Sequence, residues 1–198
     1  SLALMAAADF EWPPYYKFPP FFSRQVNADV EGKRRDLWAS LVLAHCKHSK
    51  TFKLDITAAL ETPLFKNEEI KRQLTSEDAE GLLQLMVQRG QAAATDNPSR
   101  FMIWWKSPED WAASISEWVF LLRGGRILFV SLRQVSENGF AGNVMTIYEL
   151  SNGDDTQSAE FWGVDQEVID AALVVLEKQG KAEVFQSSSG GSGVKFFR

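Results

Sequence analysis

Leu82 to Ala94 read LLQLMVQRGQAAA, and Ala172 to Val184 read ALVVLEKQGKAEV. Aligned on Gly90 and Gly180, they pair Leu83 with Leu173, Met86 with Leu176 and Ala92 with Ala182. Each is an amphipathic helix pattern that stops at a glycine, the residue that most easily takes the left-handed conformation past a helix end. A wing follows each one. In the first it is a strand over Gln91 to Thr95, the turn Asp96-Asn97-Pro98-Ser99 and an aromatic strand over Phe101 to Trp105. In the second it is a strand over Lys181 to Gln186, a flexible turn over Ser187 to Gly193 and a strand over Val194 to Phe197. Helix plus two-stranded wing is the C-terminal half of a winged-helix domain. The fold class expected is therefore α+β, mainly helical, with two winged-helix domains in tandem.

Further helices are expected upstream of each wing. Lys33 to His48 carries Leu37, Leu41 and Ala44 on one stripe, with Trp38 and Val42 beside it. A short helical turn fits Asp55 to Glu61, before Pro63. Thr75-Ser76-Glu77-Asp78 places hydroxyl caps and then acids at a helix start, and Ser107-Pro108-Glu109-Asp110 opens another with proline at its first position. Trp111, Ile115, Trp118 and Leu122 recur at helical spacing behind it. Asn143 to Leu150 reads as a strand, and Asp165 starts the last helix. The domains expected are 10–106, an N-terminal arm with the first winged helix, and 107–198, a linking helix, an insertion and the second winged helix. Residues 1–9 are read as a disordered or cloning-derived leader.

Composition narrows the function classes. The chain has 198 residues, 45% apolar and 24% charged, enough to bury real cores. A net charge of −5 gives no general attraction to phosphate. The helices that would enter a DNA groove carry Glu77, Asp78 and Glu80 against Arg89, and Asp165, Glu167, Asp170 and Glu177 against Lys178. DNA affinity rests on Lys and Arg neutralising phosphates, so no nucleic acid is expected as a partner. A winged-helix nucleic-acid-binding or transcription-associated factor is the alternative reading. One cysteine, Cys46, allows no intrachain disulfide and fits a reducing compartment. No stretch reaches the roughly 20 apolar residues of a membrane span, and no secretory signal is read. No catalytic, cofactor or metal site is expected. His45 and His48 flank Cys46 within one helical turn and lack the further convergent ligand or base that such chemistry needs. The glycine-rich turn Gly190 to Gly193 opens no helix and lacks the lysine of a phosphate loop.

The strongest functional signal is Phe10 to Phe22, FEWPPYYKFPPFF, with four of the chain's seven prolines and seven aromatics in thirteen residues. Proline fixes φ and removes N–H donors, so the segment is expected to be extended, with aromatic side chains projecting from a stiff backbone. Two readings stand at this point. One is a docking arm, because proline-stiffened segments lose little entropy on binding and present aromatics to grooves. The other is an arm folded back on its own domain.

FEWPP, the spaced FPPFF, WASLVLAHC, ETPLFKN, IYELSNGDDT, EFWGVDQ and the closing GVKFF occur in this order from Phe10 to Phe197. Together they resemble the family of the smallest subunit of the ESCRT-II endosomal sorting complex. The resemblance implies an adaptor without enzymatic activity, present twice per ESCRT-II complex. The same resemblance implies that it is cytoplasmic, recruited peripherally to endosomal membranes without inserting, and acts in sorting ubiquitinated cargo into multivesicular endosomes. It implies that the first domain joins the two other ESCRT-II subunits through Trp12-Pro13-Pro14-Tyr15 and Phe18-Pro19-Pro20-Phe21-Phe22, and that the second recruits an ESCRT-III subunit. On this sequence the candidate ESCRT-III surface is Glu149, Asp154, Asp155, Glu160, Phe161 and Trp162, carboxylates beside two aromatics that suit a basic amphipathic helix. The alternative there is that both aromatics are core. One region departs from the family pattern: Phe120 to Gly142, with the apolar stretch Ile127 to Leu132, stands where a short link is expected.

Overall fold

The computed structural model describes residues 10–124, 144–186 and 192–197. The apolar stretch Ile127 to Leu132, most of the Phe120 to Gly142 segment and the tip of the second wing lie outside the described residues. Contacts divide the chain after Trp105 into two compact units, and each holds one winged helix.

In the first unit, helix α1 (Ala28–His48) is followed by strand β1 (Lys53–Asp55), helix α2 (Ile56–Leu60), the hairpin strands β2 (Lys66–Asn67) and β3 (Arg72–Gln73), helix α3 (Ser76–Gln88) and the wing strands β4 (Ala92–Ala94) and β5 (Arg100–Ile103). The second unit repeats the plan without that hairpin. Helix α4 (Pro108–Gly124) leads to β6 (Val144–Thr146), α5 (Ile147–Asn152), α6 (Gln166–Lys178), β7 (Ala182–Gln186) and β8 (Ser192–Phe196). In both, the last strand lies in the middle of a three-stranded antiparallel sheet: β1-β5-β4 and β6-β8-β7.

The repeat read from the sequence is reproduced in detail. Gly90 and Gly180 take φ of 69° and 68°. The amides of Gln91 and Lys181 donate to Met86 and Leu176 carbonyls at 2.8 and 2.9 Å, satisfying the acceptors a helix leaves at its end. The amides of Trp104 and Phe197 then donate to Gln91 and Lys181, which ties each wing to the turn it springs from. Leu83, Met86 and Ala92 are buried in one core, Leu173, Leu176 and Ala182 in the other.

Local caps explain the boundaries. The Asn27 side chain accepts from the amides of Asp29 and Val30, so α1 begins ahead of the Lys33 start expected. The Thr75 hydroxyl accepts from Asp78 and the Asp165 carboxylate from Glu167, as the sequence indicated. Two expectations need correction. Where a strand was expected over Asn143 to Leu150, the described part, from Val144, is a three-residue strand and then a helix, because Thr146 and Glu149 form a reciprocal capping box that turns the chain at Ile147. On α1, the buried face is Trp38, Leu41, Val42 and Cys46, whereas Leu37 is 40% exposed. The stripe is rotated by about one position, because the N-terminal arm packs on Trp38 and moves the core toward it.

Candidate functional site

The arm is not extended. Pro14–Lys17 and Pro19–Phe22 each form a single 3-10 turn with proline at the first positions. This corrects the expectation from proline content. A missing N–H is no loss at the start of a turn, and a fixed φ near −65° is already suitable for one.

The two turns divide the aromatics between core and solvent. Tyr16, Phe21 and Phe22 are 5%, 5% and 4% exposed. Phe21 lies parallel to Trp38, and Phe22 meets the same indole edge-on with centroids 5.3 Å apart. Trp12, half-buried, stacks on Tyr16 at 4.1 Å. Tyr15 is half-buried beside Phe21. Polar bonds fix this arrangement. The Asn67 side chain donates to the Tyr16 carbonyl at 3.0 Å. The Tyr16 hydroxyl donates to the Pro63 carbonyl, and burial pushes its pKa up. Arg34, itself buried, donates to the Phe21 carbonyl and pairs with Glu31 at 2.7 Å. Beyond the second turn, Arg24 bridges Glu77 and Asp78 at the start of α3. The fold-back reading therefore holds for Tyr16, Phe21 and Phe22, which are core residues. Phe18 is 60% exposed, and Pro14, Pro19 and Pro20 are exposed with it.

At its outer end, the arm rests on the last turn of α1. The Phe10 ring meets His45 and His48 at 5.1 and 5.4 Å. Burial, and then the neighbouring His48, lower the His45 pKa. Cys46, between them, is buried, and its thiol is pushed up to about 12. It is a core residue. Among the described residues, no three His, Cys, Asp or Glu side chains gather as a metal-binding group, and no helix is long and apolar enough to cross a membrane.

In the second unit, the acidic segment splits similarly. Glu149 is exposed, but its carboxylate accepts from the amide and hydroxyl of Thr146 as half of the capping box. Asp154 and Asp155 are exposed on a 3-10 turn, Asp154–Thr156, that is anchored by the buried Thr156. Phe161 is 1% exposed and meets the Trp118 ring at 5.5 Å and 90°, so it is a core residue and not a contact surface. Trp162, next to it, is 39% exposed. The Glu160 carboxylate accepts from Lys106, a residue the sequence reading passed over. No sequence signal marked Lys106, because its partner lies 54 positions away.

Comparisons with known proteins agree with this architecture. A family model described as an ESCRT-II complex subunit matches residues 15–122. Vacuolar protein-sorting-associated protein 25 of Danio rerio is 39% identical over 189 residues, covering 95% of this chain and 99% of the relative. The Homo sapiens protein of that name is 38% identical over 192 residues, covering 96% and 99%. The crystal structure of subunit VPS25 of the endosomal trafficking complex ESCRT-II matches with a TM-score of 0.72, over 92% of this chain and 97% of that one, at 24% identity. A chain of the endosomal complex ESCRT-II (VPS22/VPS25/VPS36) matches at 0.69, over 93% and 98%. With two winged helices in tandem, an arm of paired prolines and this likeness along nearly its whole length, the chain belongs to the vacuolar protein-sorting-associated protein 25 family of ESCRT-II complex subunits.

Proposed function

We propose that the chain is the adaptor subunit of an ESCRT-II complex, joining two different sets of partners through its two domains. The outward face of the arm, centred on Phe18, Pro19 and Pro20, docks on the counterparts of VPS22 and VPS36. Two copies of the chain serve one complex. The exposed acidic segment of the second domain, with Trp162 as its aromatic anchor, receives a basic amphipathic helix of an ESCRT-III subunit. In this role the chain works at the cytoplasmic face of endosomes, in sorting ubiquitinated cargo into multivesicular bodies.

The observation that carries the reading is the outward face of the second 3-10 turn. At its N-cap, Phe18 is 60% exposed and is followed by two prolines that stiffen the backbone, on a segment whose neighbouring rings are anchored in the core. A pre-ordered aromatic loses little entropy when it enters a pocket, which is how interface anchors act. The experiment is the triple substitution Phe18→Ala, Pro19→Ala, Pro20→Ala. The variant unfolds as the wild type does and no longer co-purifies with the other ESCRT-II subunits. A folded triple variant that still assembles rules the arm out. For the second surface, Asp154→Lys with Asp155→Lys slows association with the ESCRT-III subunit and leaves ESCRT-II assembly intact, because rim charges act chiefly on encounter rates.

A further inference from the structure

We infer that Lys106 is a positioning residue for Trp162. It pins the Glu160–Gly163 turn to helix α4 so that Trp162 is presented, ordered in advance, to the basic helix. This rests on the reading of the acidic segment as the ESCRT-III surface.

From Ile147 to Glu177 the chain carries Glu149, Asp154, Asp155, Glu160, Asp165, Glu167, Asp170 and Glu177, and no lysine or arginine. Such a stretch repels itself and suits a cationic partner. Lys106, immediately ahead of α4, supplies a cation from outside the stretch. Its ammonium donates to Glu160 and, at 2.6 Å, to the Ser114 hydroxyl, and it lies 4.6 Å from the centre of the buried Trp111 ring. The Lys106 side chain is only 19% exposed, so this geometry is held on several sides. A cation shared between a carboxylate, a hydroxyl and an aromatic face is worth more when partly removed from water.

The consequence falls on the turn. Glu160 is fixed to Lys106, and the next ring, Phe161, is fixed edge-on to Trp118 of the same helix. Past Trp162, Gly163 takes φ of 73° and its amide donates to the Ser151 carbonyl at 2.7 Å. Trp162 is thus held between residues clamped on both sides, with its own amide bonded back to Ala159 at 3.1 Å, and it keeps 39% exposure. The Glu160 Oε2 takes the Lys106 bond, and through that bond Glu160 takes part in orienting Trp162.

The test uses the full-length chain and the purified ESCRT-III subunit, with affinities for wild type, Lys106→Met, Lys106→Arg, Trp162→Ala and the Lys106→Met/Trp162→Ala double variant. Met keeps the packing over Trp111 and removes the charge. Lys106→Met and Trp162→Ala each weaken binding about tenfold, the scale of a truncated interface anchor, while Lys106→Arg stays close to wild type. The double variant is no weaker than Trp162→Ala, since Lys106 acts through Trp162. Without partner, 5-fluorotryptophan labelling gives a Trp162 resonance, assigned by Trp162→Phe, that moves in Lys106→Met. If Lys106→Met fails to fold, Glu160→Gln, which removes the charge pair from the other side, takes its place in every comparison. Wild-type binding by the charge-removing variant, independent effects in the double variant, or an unmoved Trp162 resonance overturns the role of Lys106 alone. Wild-type binding by Trp162→Ala overturns the docking surface itself, and this inference with it.

Discussion

The Phe21 ring lies flat on the Trp38 indole, with centroids 4.4 Å apart and 11° between the planes, while the indole Nε1 donates to the carbonyl of Phe21 itself at 3.0 Å. One arm residue is therefore bound twice by one helix residue, through its ring and through its backbone. Substituting Phe21 by alanine removes a fully packed ring from the first core. The expected loss is about 3–5 kcal/mol of stability, the range for Phe→Ala in cores. Chemical denaturation of the isolated chain measures it. Loss of partner binding in such a variant reports unfolding and not docking, in contrast with the Phe18, Pro19, Pro20 variant.

Acid should weaken the same region. The Arg34 guanidinium, then the Gln25 amide and Arg35, hold the Glu31 carboxyl down to about 2 against the opposing effect of its partial burial. A carboxyl with a depressed folded pKa binds fewer protons folded than unfolded. Its stabilisation is thus complete above its ordinary value of 4.5 and is lost progressively as pH falls from there toward 2. Denaturation midpoints of wild type and Glu31→Gln, followed across that window, should converge at the acid end. Parallel curves would mean that the Arg34–Glu31 pair does not carry the dependence.

Two glycines should respond oppositely to alanine. A Cβ on Gly81, inside α3, meets nothing within 4 Å. Gly81→Ala should stabilise by about 0.5–1 kcal/mol, as for glycine in a helix interior. A Cβ on Gly153 would stand 2.4 Å from the Glu149 carbonyl oxygen, the acceptor of Gly153's own amide where α5 ends. Gly153→Ala should destabilise by about 1–3 kcal/mol, the usual range for overpacking. Thermal unfolding of the two variants gives both signs in one experiment.

What could be read from the sequence was whatever local chemistry determines. The paired helix–wing units, the Thr75 and Asp165 caps and the helix ends at Gly90 and Gly180 each depend on residues within a few positions of one another. Some misreadings arose where distant partners decided the outcome, others where a local signal pointed two ways. Nothing near Leu37 shows that Phe21 and Phe22 will cover Trp38 and rotate the buried face of α1. Thr146 and Glu149 did contain a capping-box signal, but it sat within the β-branched and aromatic run VMTIYEL, which reads as strand. For the candidate surfaces, composition located the arm and the acidic segment. Only packing separated Phe18 from Phe21, or Trp162 from Phe161, because adjacent aromatics are chemically alike until a core selects one of them.

On the docking proposed through Phe18, the division of the arm between inward and outward rings makes assembly conditional on folding. Phe18 and the two prolines after it take their outward geometry only while Tyr16, Phe21 and Phe22 are seated in the first domain. A chain with an unfolded first domain has the same residues but not the surface they form. On that docking, the surface itself distinguishes folded from unfolded copies, and no separate inspection step is needed.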